Sequence, residues 1–235
     1  MRKTLAASIA GVMLACVAPP ALAAIPLDVP PGAFDFTLRG HPVHADEVEH
    51  ARLSGYSTLL LAQLRHYPGG VLDAYGPRRI LMVGQISAGG TPYNAMCDWD
   101  RRVLTFKALD LASERHDALI CIHHELFHMI DNLARGPSWE DAAWDALNEP
   151  GFRYGDGGDS MRDAADAELT ERIPGCVTRY ASSATDEDKA ETFAHLIVDR
   201  GWVLARARED RYLAAKIALL RLRLDALSTG WGRSL

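Results

Sequence analysis

Apolar residues along this chain change their period several times, and each change marks an element. Between residues 46 and 66, Val48, Leu53, Tyr56, Leu60 and Leu64 share one face of a helical repeat. Pro68-Gly69-Gly70 should stop that helix. Arg79 to Ile86 (RILMVGQI) is an apolar run of strand length, and Ala88-Gly89-Gly90 follows as a turn. Thr91 to Asp98 reads as an extended edge, and Arg102 to Ala108 (RVLTFKA) as a further strand. A long helix is predicted over roughly 112–134, closed by Gly136 and Pro137. Residues 136–180 hold many Gly, Asp and Pro and read as loop with short helical pieces. Another helix should begin near Thr185, with Thr185 and Asp188 as a capping box. A last one over about 203–227 puts Leu213, Ile217, Leu220, Leu224 and Leu227 on one face.

The order helix, strands, helix, long loop, helix, helix predicts an α+β domain, with a small mixed sheet packed on the long helix. Residues 24–45, rich in Pro and Gly at their start, read as an extended entry segment. Residues 1–23 have another pattern. Arg2 and Lys3 precede an apolar run from Leu5 to Val17, and Ala21-Leu22-Ala23 offers a small-x-small cleavage site. This reads as a secretory signal, leaving residues 24–235 as one exported domain, periplasmic or secreted. Met13-Leu14-Ala15-Cys16 is close to a lipoprotein box, with Met unusual in its first position, so a lipid anchor at Cys16 is the alternative. No other segment reads as a transmembrane span.

The long helix carries His123-His124-Glu125-Leu126-Phe127-His128-Met129-Ile130-Asp131. His124 and His128 are one turn apart on one face, so two imidazole nitrogens can converge on one zinc ion. Glu125 leans over the edge of that face, where a carboxylate can take a proton from a metal-activated water. Chance alone yields HExxH in roughly one or two of a hundred shuffled chains of this composition, so the neighbours matter. They are Leu119, Ile120, Ile122, Leu126, Phe127, Met129 and Ile130, which bury the helix nearly all round. Burying two histidines and a glutamate without partners costs several kcal/mol. His123 lies off the shared face and is expected in a supporting or surface role. Asp131 is expected to orient a histidine ring, with direct ligation as the alternative.

Charge and cysteine count narrow the partners. The net charge of −6 becomes −8 without Arg2 and Lys3, and the arginines are scattered, so nucleic acid is not an expected partner. Three cysteines remain after Cys16, with Cys97–Cys176 the pairing favoured if a disulfide forms. None has CxxC spacing, which speaks against a thiolate zinc site.

A catalytic zinc needs a third protein ligand. No HxxGxxH extension follows His128, which removes the metzincin pattern. Glu187 and Glu191, at i and i+4, are the best candidates: one can bind metal while the other braces a histidine. The bland alternative is an acidic helix start favoured by the helix dipole.

Tyr180-Ala181 ahead of Glu187-Asp188-Lys189-Ala190-Glu191-Thr192-Phe193-Ala194, together with HExxHxxD ending at Asp131, resembles the pattern of anthrax lethal factor-like gluzincins. Trp144-Asp145-Ala146-Leu147-Asn148 leading to Gly151-Phe152-Arg153-Tyr154 is similar to bacterial zinc-binding metallopeptidases. The resemblance covers about residues 78–200. It implies a zincin-like fold with one Zn2+ held by His124, His128 and Glu187. It also implies Glu125 as general base, Tyr180 as a hydrogen-bond donor to the developing oxyanion, and Glu191 behind a ligand. The lethal factor's toxin-delivery segments are absent, so its host target is not implied. A core tyrosine with a satisfied hydroxyl is the alternative for Tyr180.

The expectation is an exported zinc metallopeptidase acting on a peptide or protein, with the 91–98 segment pairing with substrate backbone. A non-catalytic zinc-binding module and a zinc amidase acting on cell-wall peptides remain open beside it. The sequence is silent on oligomeric state.

Overall fold

The computed structural model describes residues 25–137, 139–161 and 163–235. Residues 1–23, read above as a secretory signal, and with them Cys16, lie outside the described residues. Two four-stranded sheets and a helical layer make up the fold. The first sheet has the order β1 (Leu27–Asp28), β4 (Arg79–Val83), β8 (Val103–Lys107), β7 (Ala95–Asp98). The first three strands are parallel, and β7 is antiparallel at the edge. The second sheet is wholly antiparallel: β2 (Phe34–Leu38), β3 (His41–Ala45), β5 (Ile86–Ala88), β6 (Thr91–Tyr93).

Side-chain alternation sorts the first sheet's two faces. Ile80, Met82, Leu104, Phe106, Ala95 and Cys97 join the main core with the helices. Val83 and Met96 turn to the second sheet, where they meet Leu38, Val43, Ala45 and Ile86. The main core is closed by α1 (His50–Leu64), α2 (Gly69–Tyr75), α3 (Arg115–Arg135), α5 (Thr185–Val198), α6 (Arg200–Arg206) and α7 (Arg211–Leu227), with short α4 (Ala142–Asp145) and α8 (Trp231–Ser234) completing the set. Helix α3 packs on β7 and β8 and, most extensively, on α5. That places a small mixed sheet on the motif helix. Among the described residues no helix is long and apolar enough to cross a membrane.

Several expectations are corrected. The run 79–86 is two strands in two sheets. Gly84 breaks it: its N–H donates to the Asp46 carbonyl at 2.8 Å, and a Cβ there would lie 2.2 Å from the Glu47 carbonyl oxygen. The entry segment contains β1 and a β2–β3 hairpin turning at Arg39 and Gly40, both at positive φ. Pro68 does stop α1, but it also opens α2. The predicted 203–227 helix is α6 and α7, divided at Asp210, whose carboxylate accepts from the N–H groups of Tyr212 and Leu213 and starts α7. The Thr185–Asp188 capping box does not form. The Thr185 hydroxyl donates to Asp145, and Asp188 is drawn into the core by tertiary partners. Cys97 and Cys176 are both buried and free: one lies in β7 against α3, the other beside Lys216 and Arg206.

Candidate metal centre

Helix α3 presents His124 and His128 toward the first turn of α5, which supplies Glu187. The three are held in a tight triangle. His124 Nε2 and His128 Nε2 are 2.9 Å apart, and Glu187 Oε2 lies 3.0 Å from the first and 3.3 Å from the second. Donors 2.0–2.2 Å from one tetrahedral zinc would be about 3.4 Å apart. The triangle is therefore close to the size a zinc ion needs. Its donors, two imidazole nitrogens and one carboxylate oxygen, are a set that suits this ion. Among the described residues this is the group of His, Asp and Glu able to hold a metal.

Glu191, one turn along α5, braces the triangle from behind. Its Oε1 is 2.9 Å from His124 Nδ1, and its Oε2 accepts from the Thr178 hydroxyl at 2.7 Å. With His124 Nδ1 committed to Glu191, Nε2 is the ring nitrogen that faces the triangle. Burial opposes charge on His124, yet hydrogen bonds to Glu187 and Glu191 raise its pKa well above the ordinary value. Burial also opposes charge on Glu187 and Glu191, but His128 and His124 at Glu187, and His124 and His195 at Glu191, hold both well below the usual carboxylate range. Glu125 differs. It is partly exposed, burial raises its pKa, and the charges of His124 and His128 only partly offset that. A carboxylate poised upward beside two low ones is the one better suited to exchanging a proton.

The remaining predicted residues are placed as follows. Tyr180 opens a 3-10 turn over Tyr180–Ser183 packed on α5, with its ring 6.0 Å from that of His124. Its hydroxyl lies under Gly158, where a Cβ would come 2.3 Å from it and 2.9 Å from Glu187 Oε1. Gly158 is held there because the Gly155 and Gly157 N–H groups donate to the Ser182 and Ser183 carbonyls. Asp131 does not orient either histidine. It accepts from Lys189 at 2.6 Å and pairs with Arg135, because the next turn of α5 presents an ammonium to it. His123 is fully buried between Tyr67 and Gln63, and burial drives its pKa down to about 3. It supports α3 from the side away from the triangle.

Thr178 and Gly158 carry no motif spacing and escape sequence reading. Only the density of glycines at 155–158 hinted at a close approach. Glu191→Ala should weaken zinc binding about 10- to 100-fold, measured by competition with a chelating dye, because His124 loses the partner that fixes its tautomer.

A second prediction concerns His195. Burial opposes its charge, but Asp199 at 2.7 Å and Glu191 at 3.5 Å raise its pKa to about 9. Its contribution to stability is therefore complete below about pH 6.5, the unfolded value, and is lost as pH rises through 9. Urea unfolding of the protein should weaken across that window. His195→Gln should flatten the slope.

No family model matches the chain, and no curated protein matches it. A solved structure, described as "a putative zinc-binding metallo-peptidase" from Bacteroides caccae, aligns with 78% of this chain and 75% of its own, at 19% identity and a TM-score of 0.52. The likeness is one of fold: the mixed α+β architecture is similar to that of this structure.

Proposed function

We propose that this protein is an exported zinc-dependent peptidase of the gluzincin type. One observation carries the reading: the 2.9–3.3 Å triangle of His124, His128 and Glu187, with Glu191 behind it and Glu125 beside it. Zinc held by that triangle would supply Lewis acidity, polarising a carbonyl and acidifying water. The chain's own residues would do the rest. Glu125 takes the proton from the attacking water and later delivers it to the leaving amine. The Tyr180 hydroxyl donates a hydrogen bond to the oxygen that gains negative charge.

The edge of the first sheet suggests how a peptide would lie. Of the 91–98 segment, Thr91–Tyr93 is committed to the second sheet, so only Ala95–Asp98 is an edge of the sheet that carries α3. Substrate backbone would add to β7 as a further strand.

The test is a diverse peptide library incubated with protein purified without residues 1–23 and read by mass spectrometry. Cleavage that a chelator abolishes and zinc restores supports the reading. Zinc uptake with no cleavage of any peptide favours a non-catalytic binding module, and cleavage of muropeptides alone favours a cell-wall amidase.

A further inference from the structure

The hairpin tip that the sequence did not disclose ends in an arginine, Arg39. Arg39 is exposed, and its guanidinium lies 4.0 Å over the ring of Trp99. Trp99 packs in turn on Trp139, with centroids 6.1 Å apart. Trp99 directly follows β7, and alternation places it on the face of Ala95 and Cys97, toward α3. Trp139 follows the C-terminal end of α3 and is 50% exposed. The two rings therefore meet where the end of β7 comes beside the C-terminal end of α3. The arginine is fixed there. Arg101 donates to the Thr37 carbonyl at 3.0 Å, tying the hairpin to the β7–β8 turn, and the same Arg101 neutralises Asp98. Among the described residues no carboxylate pairs with Arg39. Its charge nevertheless reaches β7. Burial raises the pKa of Cys97 in β7, and the Arg39 charge opposes it there.

We propose that Arg39, backed by Trp99 and Trp139, is a specificity-determining residue for substrate laid along β7 and selects peptides that present a carboxylate beside an apolar side chain. The inference rests on the peptidase reading for its chemistry, but not for its binding. A guanidinium stacked on an indole keeps its forked N–H edge free for bidentate pairing with a carboxylate, and little rotamer freedom is left to lose. The indoles supply the apolar wall for a neighbouring side chain. The carboxylate has two sources, an Asp or Glu side chain or a free C-terminus, and the experiment separates them.

The probes are fluorescein-labelled apolar heptapeptides, each made with Glu or Gln at one scanned position and with a C-terminal acid or amide. Binding to zinc-loaded Glu125→Gln protein is read by anisotropy, and wild-type turnover is followed in parallel. The carboxylate form is expected to bind about tenfold tighter than its neutral partner. Arg39→Asn in the same background should bring that ratio near one, and Arg39→Asp should bring it below one. Asn-Gly and Asp-Gly both suit a turn with two positive φ values, so the hairpin survives either change. A preference carried by the Glu position marks a side-chain carboxylate; one carried by the acid terminus marks an end-cutting enzyme. Equal binding of charged and neutral peptides, or a ratio that Arg39→Asn leaves unchanged, overturns the inference. If the ratio behaves as expected while wild type cuts nothing, the carboxylate site stands and the peptidase reading is the one that fails.

Discussion

Glu125→Gln should lower peptide turnover by about 10²- to 10⁴-fold while zinc content stays unchanged. The carboxylate is not one of the three groups in the triangle, so losing its charge removes no metal donor. The amide keeps nearly the same volume in a crowded place but cannot accept a proton from water. The size of the effect follows from what general-base catalysis supplies, and the unchanged metal separates it from simple collapse of the site. A residual rate within a factor of ten of wild type would show that another group is the base. Tyr180→Phe should cost less, about 10²-fold in kcat, since it would delete the hydrogen bond proposed to the oxyanion while the three metal-binding groups stay in place.

The second large effect is on stability. Lys216 and Asp188 are fully buried and joined at 2.6 Å, with Lys216 also donating to the Gly175 carbonyl. Asp188 further accepts from Trp144 Nε1 at 2.9 Å and from the Tyr154 hydroxyl at 2.6 Å. Lys216→Met keeps the chain length and removes the charge. Asp188 is then left buried and uncompensated, and the loss should be about 3–5 kcal/mol by chemical unfolding at pH 7. Burial already raises the pKa of Asp188, with Lys216 opposing it. Without Lys216 the carboxyl rises further, so the folded variant takes up a proton more readily than the unfolded chain. The deficit relative to wild type should therefore narrow as pH falls from 7 toward 4. Asp188→Asn combined with Lys216→Met should recover part of the loss. A single-variant cost under about 1 kcal/mol would mean that water reaches the pair.

These two effects meet on one helix. Four consecutive or near residues of α5 do separate jobs: Glu187 faces the triangle, Asp188 the Lys216 core, Lys189 the Asp131 carboxylate, and Glu191 the back of His124. Lys189 also approaches Asp141, which Arg223 engages with two hydrogen bonds; together they outweigh the cost of burial and bring the Asp141 pKa down to about 2. The spacing between α3 and α5, and hence the size of the triangle, is held by buried charge pairs as well as by Phe127 against Phe193 at 4.9 Å.

How much of this was legible depended on the range of the interaction. Helix α3 and the shared face of His124 and His128 follow from local periodicity, which a single chain displays directly. Glu187 and Glu191 were legible as a pair for the same reason, although their meeting with α3 was not. Asp131 shows the limit. Its spacing from His128 suggested a histidine partner, but an ammonium 58 residues further on takes it. Asp188 likewise looked like a cap and is a core hub. Gly84 divides an apolar run because of carbonyls brought in from the segment that follows β3, and no pattern within 79–86 reports that contact. The β2–β3 hairpin did carry alternation in Phe34, Phe36 and Leu38, but Arg39-Gly40 is a weak turn signal beside Asn-Gly.

X-ray absorption at the zinc edge, on protein loaded with one equivalent of zinc, tests the metal centre most directly. The account predicts two imidazole nitrogens at about 2.0–2.1 Å with light oxygen scatterers completing a four-coordinate shell, and loss of one oxygen contribution in Glu187→Ala. A sulfur shell at about 2.3 Å, or a spectrum that Glu187→Ala leaves unchanged, would contradict it.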